Sequence, residues 1–333
     1  MTKADSSIPD STAVKSWLTT VGWEADHIEC LDGDVSSRSY FRALLPDAKS
    51  VIVAFYPPSL RETCDRFMLT TEFLNQAGVL TPRIFLPACD AGFMVLQDVG
   101  SETLYSREID TWSRMAPILR GAVELLHRIQ SISVDRVQGI NPPLDSDLMK
   151  KELEQTWMAF LEPHGFLTDT SFAKDLQAGI DELCSSLGSG NTVTCHRDYM
   201  VRNIVEDDDT GDLVVLDHQD LRAGPRFYDL ASLLNDSLDP SSDIENALIG
   251  AVIGDEDEAL EYQRAAVQRT LKAIGTFETF AKRGSNRHLR LIPQTMKRAL
   301  RYLKTLPETS DLTPRLAETW DSVLRGKSGA VYR

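Results

Sequence analysis

The stretch from Cys195 to Asp217 constrains this chain more than any other. It reads C-H-R-D-Y-M-V-R-N-I-V, passes an acidic turn at Asp207-Asp208-Asp209-Thr210-Gly211, and runs into L-V-V-L-D-H-Q-D. The apolar run Leu213 to Leu216 predicts a short buried strand, and such a strand holds its last carboxylate, Asp217, rigidly. His196, Asp198 and Asn203 fall in the order H-x-D-x-x-x-x-N on the other side of the turn. Asp198, Asn203 and Asp217 are therefore expected to converge from two short elements. Their oxygens suit a hard divalent cation. Three such residues alone arise by chance. The following strand at the right distance raises their weight, and so does Gly224-Pro225-Arg226-Phe227-Tyr228-Asp229-Leu230-Ala231-Ser232-Leu233-Leu234, an apolar helix opened by a Pro and an Asp.

H-x-D-x-x-x-x-N is the spacing of a kinase catalytic loop, in which the Asp takes the substrate hydroxyl proton and the Asn holds a metal ion. With strand and helix in order behind it, the chain resembles the aminoglycoside phosphotransferase-like superfamily, related in fold to protein kinases. Within it, D-H-Q-D followed by G-P-x-x-Y-D-L-A-S-L-L resembles the anomeric sugar kinases of bacterial cell-wall recycling, which phosphorylate N-acetylmuramate and N-acetylglucosamine at the 1-position. Further likenesses are G-D-V-S-S-R-S-Y-F-R at 33–42, L-M-K-K-E-L at 148–153 and Q-R-T-L-K-A-I-G-T-F at 268–277. His218 stands where that family reads Phe, which bears on the packing behind Asp217.

The resemblance implies an α+β, protein-kinase-like bilobal fold: a small β-rich N-lobe over residues 1–97 and a larger, mainly helical C-lobe over 98–333. It implies ATP and Mg2+ as cofactors, with Asp198 as catalytic base and Asn203 and Asp217 as metal ligands. Ser36, Ser37 and Arg38, in the loop of a phosphate-covering hairpin, are expected to meet the nucleotide, as are Arg42 and the main chain of Gln97 and Val99 in the lobe connector. Asp220 is either an outer neighbour of the metal or an acceptor contact. Glu152 and Arg269 are candidates to line the acceptor pocket. His196, Arg202 and Asp229 are expected to support the loop, Asp229 by bonding its backbone from a helix start, where carboxylates are favoured.

One part of the kinase plan is missing. The third strand, Ser50 to Tyr56, reads S-V-I-V-A-F-Y and lacks the Lys that pairs with nucleotide phosphates. Arg42 or Lys49 is available to supply that charge. Glu72, where the partner Glu of such a Lys would lie, then has no obvious mate. Around these, helices are expected at Asp10–Gly22, Leu60–Ala77, Trp112–Ile129, Leu148–Leu161, Phe172–Leu187 and Ala259–Lys282. Another, Arg287–Tyr302, is expected to be interrupted at Pro293.

Composition bounds the partners. A net charge of -15 and a pI near 4.9 oppose binding to nucleic acid or an anionic membrane. The five cysteines are scattered without a C-x-x-C pair, so free thiols in a reducing compartment are expected. With a polar start and no long apolar run, the expectation is a cytoplasmic monomer acting on a small amino sugar. Competing acceptors within the superfamily are aminoglycosides, homoserine or choline. Choline would call for an aromatic cage, and no tight aromatic cluster is visible near Asp220. A reading from another class is an inactive nucleotide-binding protein, against which the retained Asp198, Asn203 and Asp217 count.

Overall fold

The computed structural model describes residues 8–31, 38–106, 112–207, 210–235, 240 and 242–332. In chain order it begins with α1 (Ser11–Thr20), β1 (His27–Leu31), β2 (Ser39–Leu44), β3 (Ser50–Phe55) and α2 (Arg61–Gln76). Next come β4 (Ile84–Ala88), β5 (Phe93–Gln97), α3 (Trp112–Gln130), α4 (Val134–Gln138), α5 (Ser146–Thr156) and α6 (Thr170–Ser189). Short strands β6 (Thr192–Cys195), β7 (Ile204–Glu206), β8 (Leu213–Val215) and β9 (Arg222–Pro225) precede α7 (Tyr228–Asn235) and α8 (Ser242–Gly250). The chain closes with α9 (Glu256–Lys282), α10 (Ile292–Leu303) and α11 (Thr313–Arg325). Among the described residues no helix is long and apolar enough to cross a membrane.

Contacts divide the chain into two compact units. The first takes the residues up to Glu102 together with Ile204–Asp220; the second takes Thr103–Asn203 and Leu221 onward.

The first unit is built on a five-stranded antiparallel sheet in the order β1-β2-β3-β5-β4. Alternation of side chains along the strands gives this sheet two apolar faces. Phe41, Ala43, Val51, Val53 and Val95 form one core with Val14 and Leu18 of α1. Ala54, Met94 and Leu96 form the other with Phe67 of α2 and Cys64. The hairpin β7-β8 belongs to this unit, and Val214 bridges to Leu80. The second unit is helical apart from the β6-β9 pair. Its centre is α9, along which Ala266, Val267, Thr270, Ile274 and Phe277 are buried. Helix α5 crosses α9 closely: Thr156 Oγ1 donates to the Leu271 carbonyl at 2.8 Å. A Cβ on Gly275 would lie 2.3 Å from that same oxygen. Only glycine permits this approach, which sets the spacing of the helices that carry Glu152, Arg269 and Lys272.

The expected layout, a small β-rich part and a larger helical one, is found. Three details differ. Pro293 does not interrupt a helix but starts one, in the first turn of α10, where its missing N–H costs nothing. The helix expected to run from Leu148 to Leu161 begins at Ser146, capped by Asp145, and changes to a wider π turn at Trp157–Leu161. Cys64 and Cys89, expected as free thiols, form a disulfide with Cα atoms 5.7 Å apart across a separation of 25 residues. A strand-and-turn excursion returns the chain to the start of α2, and sequence spacing does not reveal such a return. Cys30, Cys184 and Cys195 are free.

Reduction of the Cys64–Cys89 bond, or Cys64→Ala, is expected to lower unfolding free energy by about 3 kcal/mol for a loop of this size. Guanidinium denaturation with and without a phosphine reductant checks this, and coincident midpoints would mean that the bond contributes nothing. Gly275→Ala is expected to cost about 1–3 kcal/mol through overpacking against Thr156. A thermal melt unchanged from wild type would contradict the close crossing.

Candidate active site

In the second unit, β6 ends at Cys195 and the backbone turns sharply, with Arg197 in the left-handed region at φ 79°. Any residue with a Cβ is disfavoured there. The conformation is held by Asp229, fully buried at the start of α7. Its two carboxylate oxygens accept from the His196 amide at 2.6 Å and the Arg197 amide at 2.9 Å. Burial raises the carboxyl pKa of Asp229, against the pull of His196 and those amides. His196 is fully buried, its ring edge-on to Tyr199. Asn203, ending a tight turn at Val201–Asn203, donates its side-chain amide to the Asp198 carbonyl at 2.8 Å. That bond leaves the amide oxygen as the atom of Asn203 suited to a hard cation.

Around Asp198 the charges alternate along a chain. Arg269 Nη1 reaches Asp198 Oδ1 at 3.2 Å, and Arg197 Nη1 lies 3.7 Å from Oδ2. Arg197 Nη2 donates to Glu152 Oε1 at 2.7 Å, while Lys272 Nζ lies 3.1 Å from Glu152 Oε2. Burial pushes the Asp198 carboxyl up, but the fields of Lys272, Arg197 and Arg269 outweigh it and hold the group ionised far below the usual carboxylate range. Glu152 is likewise held low, by Lys272 and Arg197 against burial. Lys272 is brought down to about 8 by burial, although Asp198 and Glu152 favour its charge. Arg202 lies over the rings of Tyr105 and Phe277 and meets His288 Nδ1 at 3.3 Å.

In the first unit, Asp217 follows β8 with its backbone in the left-handed region at φ 57°. Arg38 Nη2 donates to Asp217 Oδ1 at 2.5 Å and Arg38 Nη1 to Gln219 Oε1 at 2.8 Å. His218, the departure from the family's Phe, is fully buried. Its Nδ1 lies 2.9 Å from Thr70 Oγ1 and its Nε2 3.3 Å from Thr71 Oγ1, with the ring 4.3 Å from that of Phe67. The imidazole thus packs as an aromatic ring would and adds polar ties to α2, so Asp217 keeps a rigid base. Asp220 is half-buried at the end of this segment.

The remaining expected residues fall as follows. Arg42 is engaged by Asp98, Nε at 2.6 Å and Nη2 at 3.1 Å, and Asp98 also accepts from Ser50 and the Gly100 amide. Lys49 sits exposed on Asp47. Glu72 is exposed and bonded to Gln76. The Gln97 amide is taken by the Arg83 carbonyl, and Val99 is half-buried beyond it. Ser36 and Ser37 lie outside the described residues. Thus Glu152, Asp198, Asn203, Asp229 and Arg269 gather about one loop in the second unit, and Arg38 joins Asp217 in the first. Sequence reasoning missed Arg197 and Lys272. Lys272 was open to detection, because it follows Arg269 by three residues on one helix face.

The donors also fit the expected metal. Asn203 in the second unit and Asp217 in the first each carry an oxygen of the kind that Mg2+ takes, an ion whose shell is otherwise filled by phosphates and water. Among the described residues no group of three His, Cys, Asp or Glu gathers to form a cage made by protein alone.

Comparison with known proteins follows the same lines. Residues 27–266 match the model of the phosphotransferase enzyme family. The N-acetylmuramate/N-acetylglucosamine kinase of Pseudomonas putida is 28% identical over 323 residues, covering 92% of this chain and 90% of the relative. The enzyme of that description from Neisseria meningitidis is 28% identical over 92% of this chain and 94% of its own. Among solved structures, ADP-bound aminoglycoside phosphotransferase APH(2'')-Ib superposes with a TM-score of 0.60 at 15% identity, covering 94% of this chain and 99% of the other. An ethanolamine kinase of Plasmodium vivax gives 0.58 at 14% identity over 86% and 84%. These structural likenesses establish the protein-kinase-like fold. With that fold and a family match over most of its length, the chain belongs to the phosphotransferase enzyme family.

Proposed function

We propose that this protein is an ATP-dependent sugar kinase that phosphorylates the anomeric hydroxyl of N-acetylmuramate or N-acetylglucosamine. Relatives bearing that description match it over nine-tenths of their length, and the observation that carries the reading is the charge chain about Asp198.

Phosphoryl transfer requires alignment of a hydroxyl with the terminal phosphate and neutralisation of charge on its oxygens. In this reading Asp198 accepts a hydrogen bond from the sugar hydroxyl and orients it. Held ionised by Arg197, Arg269 and Lys272, Asp198 is a weak proton acceptor in the ground state, so its work is mainly orientation. The proton passes only as the new bond forms, which suits a loose transition state. Asn203 and Asp217 would hold Mg2+, whose chemistry is to bridge and neutralise the phosphates. Asp229 keeps the Asp198 loop in shape through its two amide bonds. Asp220 is assigned to the surroundings of the metal or the acceptor.

Three cations flank Asp198 and Glu152. Such a setting repels a polycationic aminoglycoside or a quaternary ammonium, and this favours an amino sugar that carries no positive charge. A cytoplasmic location and a monomer belong to the proposal, because ATP and free sugar meet there and the proposed site draws on one chain.

The test is incubation with Mg-ATP and a panel of N-acetyl sugars, aminoglycosides, homoserine and choline, with the phosphate located by 31P NMR. A 1-phosphate of an N-acetyl sugar is expected; a phosphate on another hydroxyl, or on a cationic acceptor, removes the sugar reading. Asp198→Asn is expected to lower kcat by roughly 10²–10⁴-fold with ADP affinity little changed. Near-normal turnover would mean that another group orients the acceptor.

A pH effect follows from Lys272. As pH rises through about 8 its ammonium discharges, and its hold on Glu152 and the field at Asp198 weaken. A basic limb in kcat/KM near that pH is expected, displaced upward in Lys272→Arg, whose charge persists. A limb unmoved by that substitution would assign it elsewhere. For stability the sign is opposite. Lys272 titrates lower in the folded protein than its ordinary 10.5. Between the two values the unfolded chain therefore binds more protons, and this group adds stability as pH rises.

A further inference from the structure

The strand that should carry a phosphate-pairing Lys has none, and the two cations expected to stand in for it, Arg42 and Lys49, are committed elsewhere. Arg42 is held by both oxygens of Asp98, and Lys49 is exposed on Asp47. Arg38, at the head of β2, is different. Its side chain is 12% exposed, and its guanidinium lies beside Tyr40, 5.9 Å from the ring centroid. Nη2 meets Asp217 Oδ1 at 2.5 Å, and Nη1 meets Gln219 Oε1 at 2.8 Å. Gln219 in turn donates Nε2 to the same Asp217 oxygen at 3.1 Å. That oxygen therefore accepts two N–H groups, which uses both of its lone pairs.

We propose that Arg38 is a transferable cation: it pairs with Asp217 until a metal ion takes that carboxylate, and it then pairs with the phosphates of the nucleotide the metal brings. The proposal rests on the kinase reading above and adds to it the route by which metal and nucleotide are coupled. A divalent cation on Asp217 is repelled by a guanidinium within hydrogen-bond distance of the same group, so the two exclude one another. A guanidinium this buried, once displaced, requires another anion. A polyphosphate supplies one with planar, two-point geometry that guanidinium matches. Metal alone must break the Arg38–Asp217 pair without compensation, and nucleotide alone must do likewise. Together they exchange one ion pair for two. Binding of each therefore strengthens binding of the other by the same factor.

Calorimetry of ADP with Mg2+ and with EDTA, and electron paramagnetic resonance of Mn2+ without nucleotide, test this. Arg38→Gln is expected to weaken Mg-ADP binding by about tenfold or more and, in the opposite direction, to tighten Mn2+ alone several-fold. The opposed signs separate a transferable cation from a merely structural one, which would weaken both. Arg38→Lys retains the charge but cannot hold Asp217 and Gln219 in one fork. It is expected to fall between wild type and Arg38→Gln in both measurements, and it decides the matter if the Gln variant does not fold. Mg-ADP affinity within about twofold of wild type in the folded variants overturns the proposal, as does Mn2+ affinity that is unchanged or lower. If the wild-type protein binds no nucleotide under any condition, the kinase reading itself fails.

Discussion

A buried carboxylate with two backbone partners underlies the loop that carries Asp198. Asp229 has no access to solvent, and the His196 and Arg197 amides that point at it offset part of the cost of burying its charge. Those same bonds hold Arg197 in a backbone conformation that its side chain disfavours. With Arg197 so turned, its guanidinium reaches Glu152 and lies near Asp198. The helix start, the strained residue and the ion-pair chain are one mechanical unit.

Electrostatics then explains why three cations, Arg197, Arg269 and Lys272, stand about Asp198 and Glu152. Taking Asp198 or Glu152 out of water is costly, and each meets two cations. The close crossing at Gly275 brings α5 and α9 near enough for Glu152 to bind Lys272, so a packing constraint sets an electrostatic one. In the other unit the logic is simpler. Asp217 leans on Arg38, and its neighbour His218 is fastened to α2 by Thr70 and Thr71.

Much of this was legible beforehand where spacing maps directly onto geometry. Strand runs, helix periodicity and the H-x-D-x-x-x-x-N order are local properties, and most of the helices expected from them lie within a few residues of expectation, while α4, α8 and α11 were not among those expected. The start of α7 at an acidic residue was legible for the same reason, since an N-terminal carboxylate has a stated preference. Partnerships between distant residues were not legible. The Cys64–Cys89 bond, Lys272 with Glu152, and Arg42 with Asp98 rather than as a spare cation all depend on which surfaces meet. Pro293 shows a local ambiguity: proline both breaks and starts helices, and only the preceding turn at Leu289–Leu291 decides which.

The amino-acid sequence alone determined most of the long helices, the loop carrying Asp198 and Asn203, and the family resemblance, because each is written in short-range patterns of residue type. Tertiary structure decided that Ile204–Asp220 packs with the sheet unit although the segments on either side belong to the helical one. It also decided which cations stand against Asp198 and which against Asp217. Those choices rest on contacts across dozens to well over a hundred residues, where the energy of burial and pairing is gained only once the chain has folded back on itself.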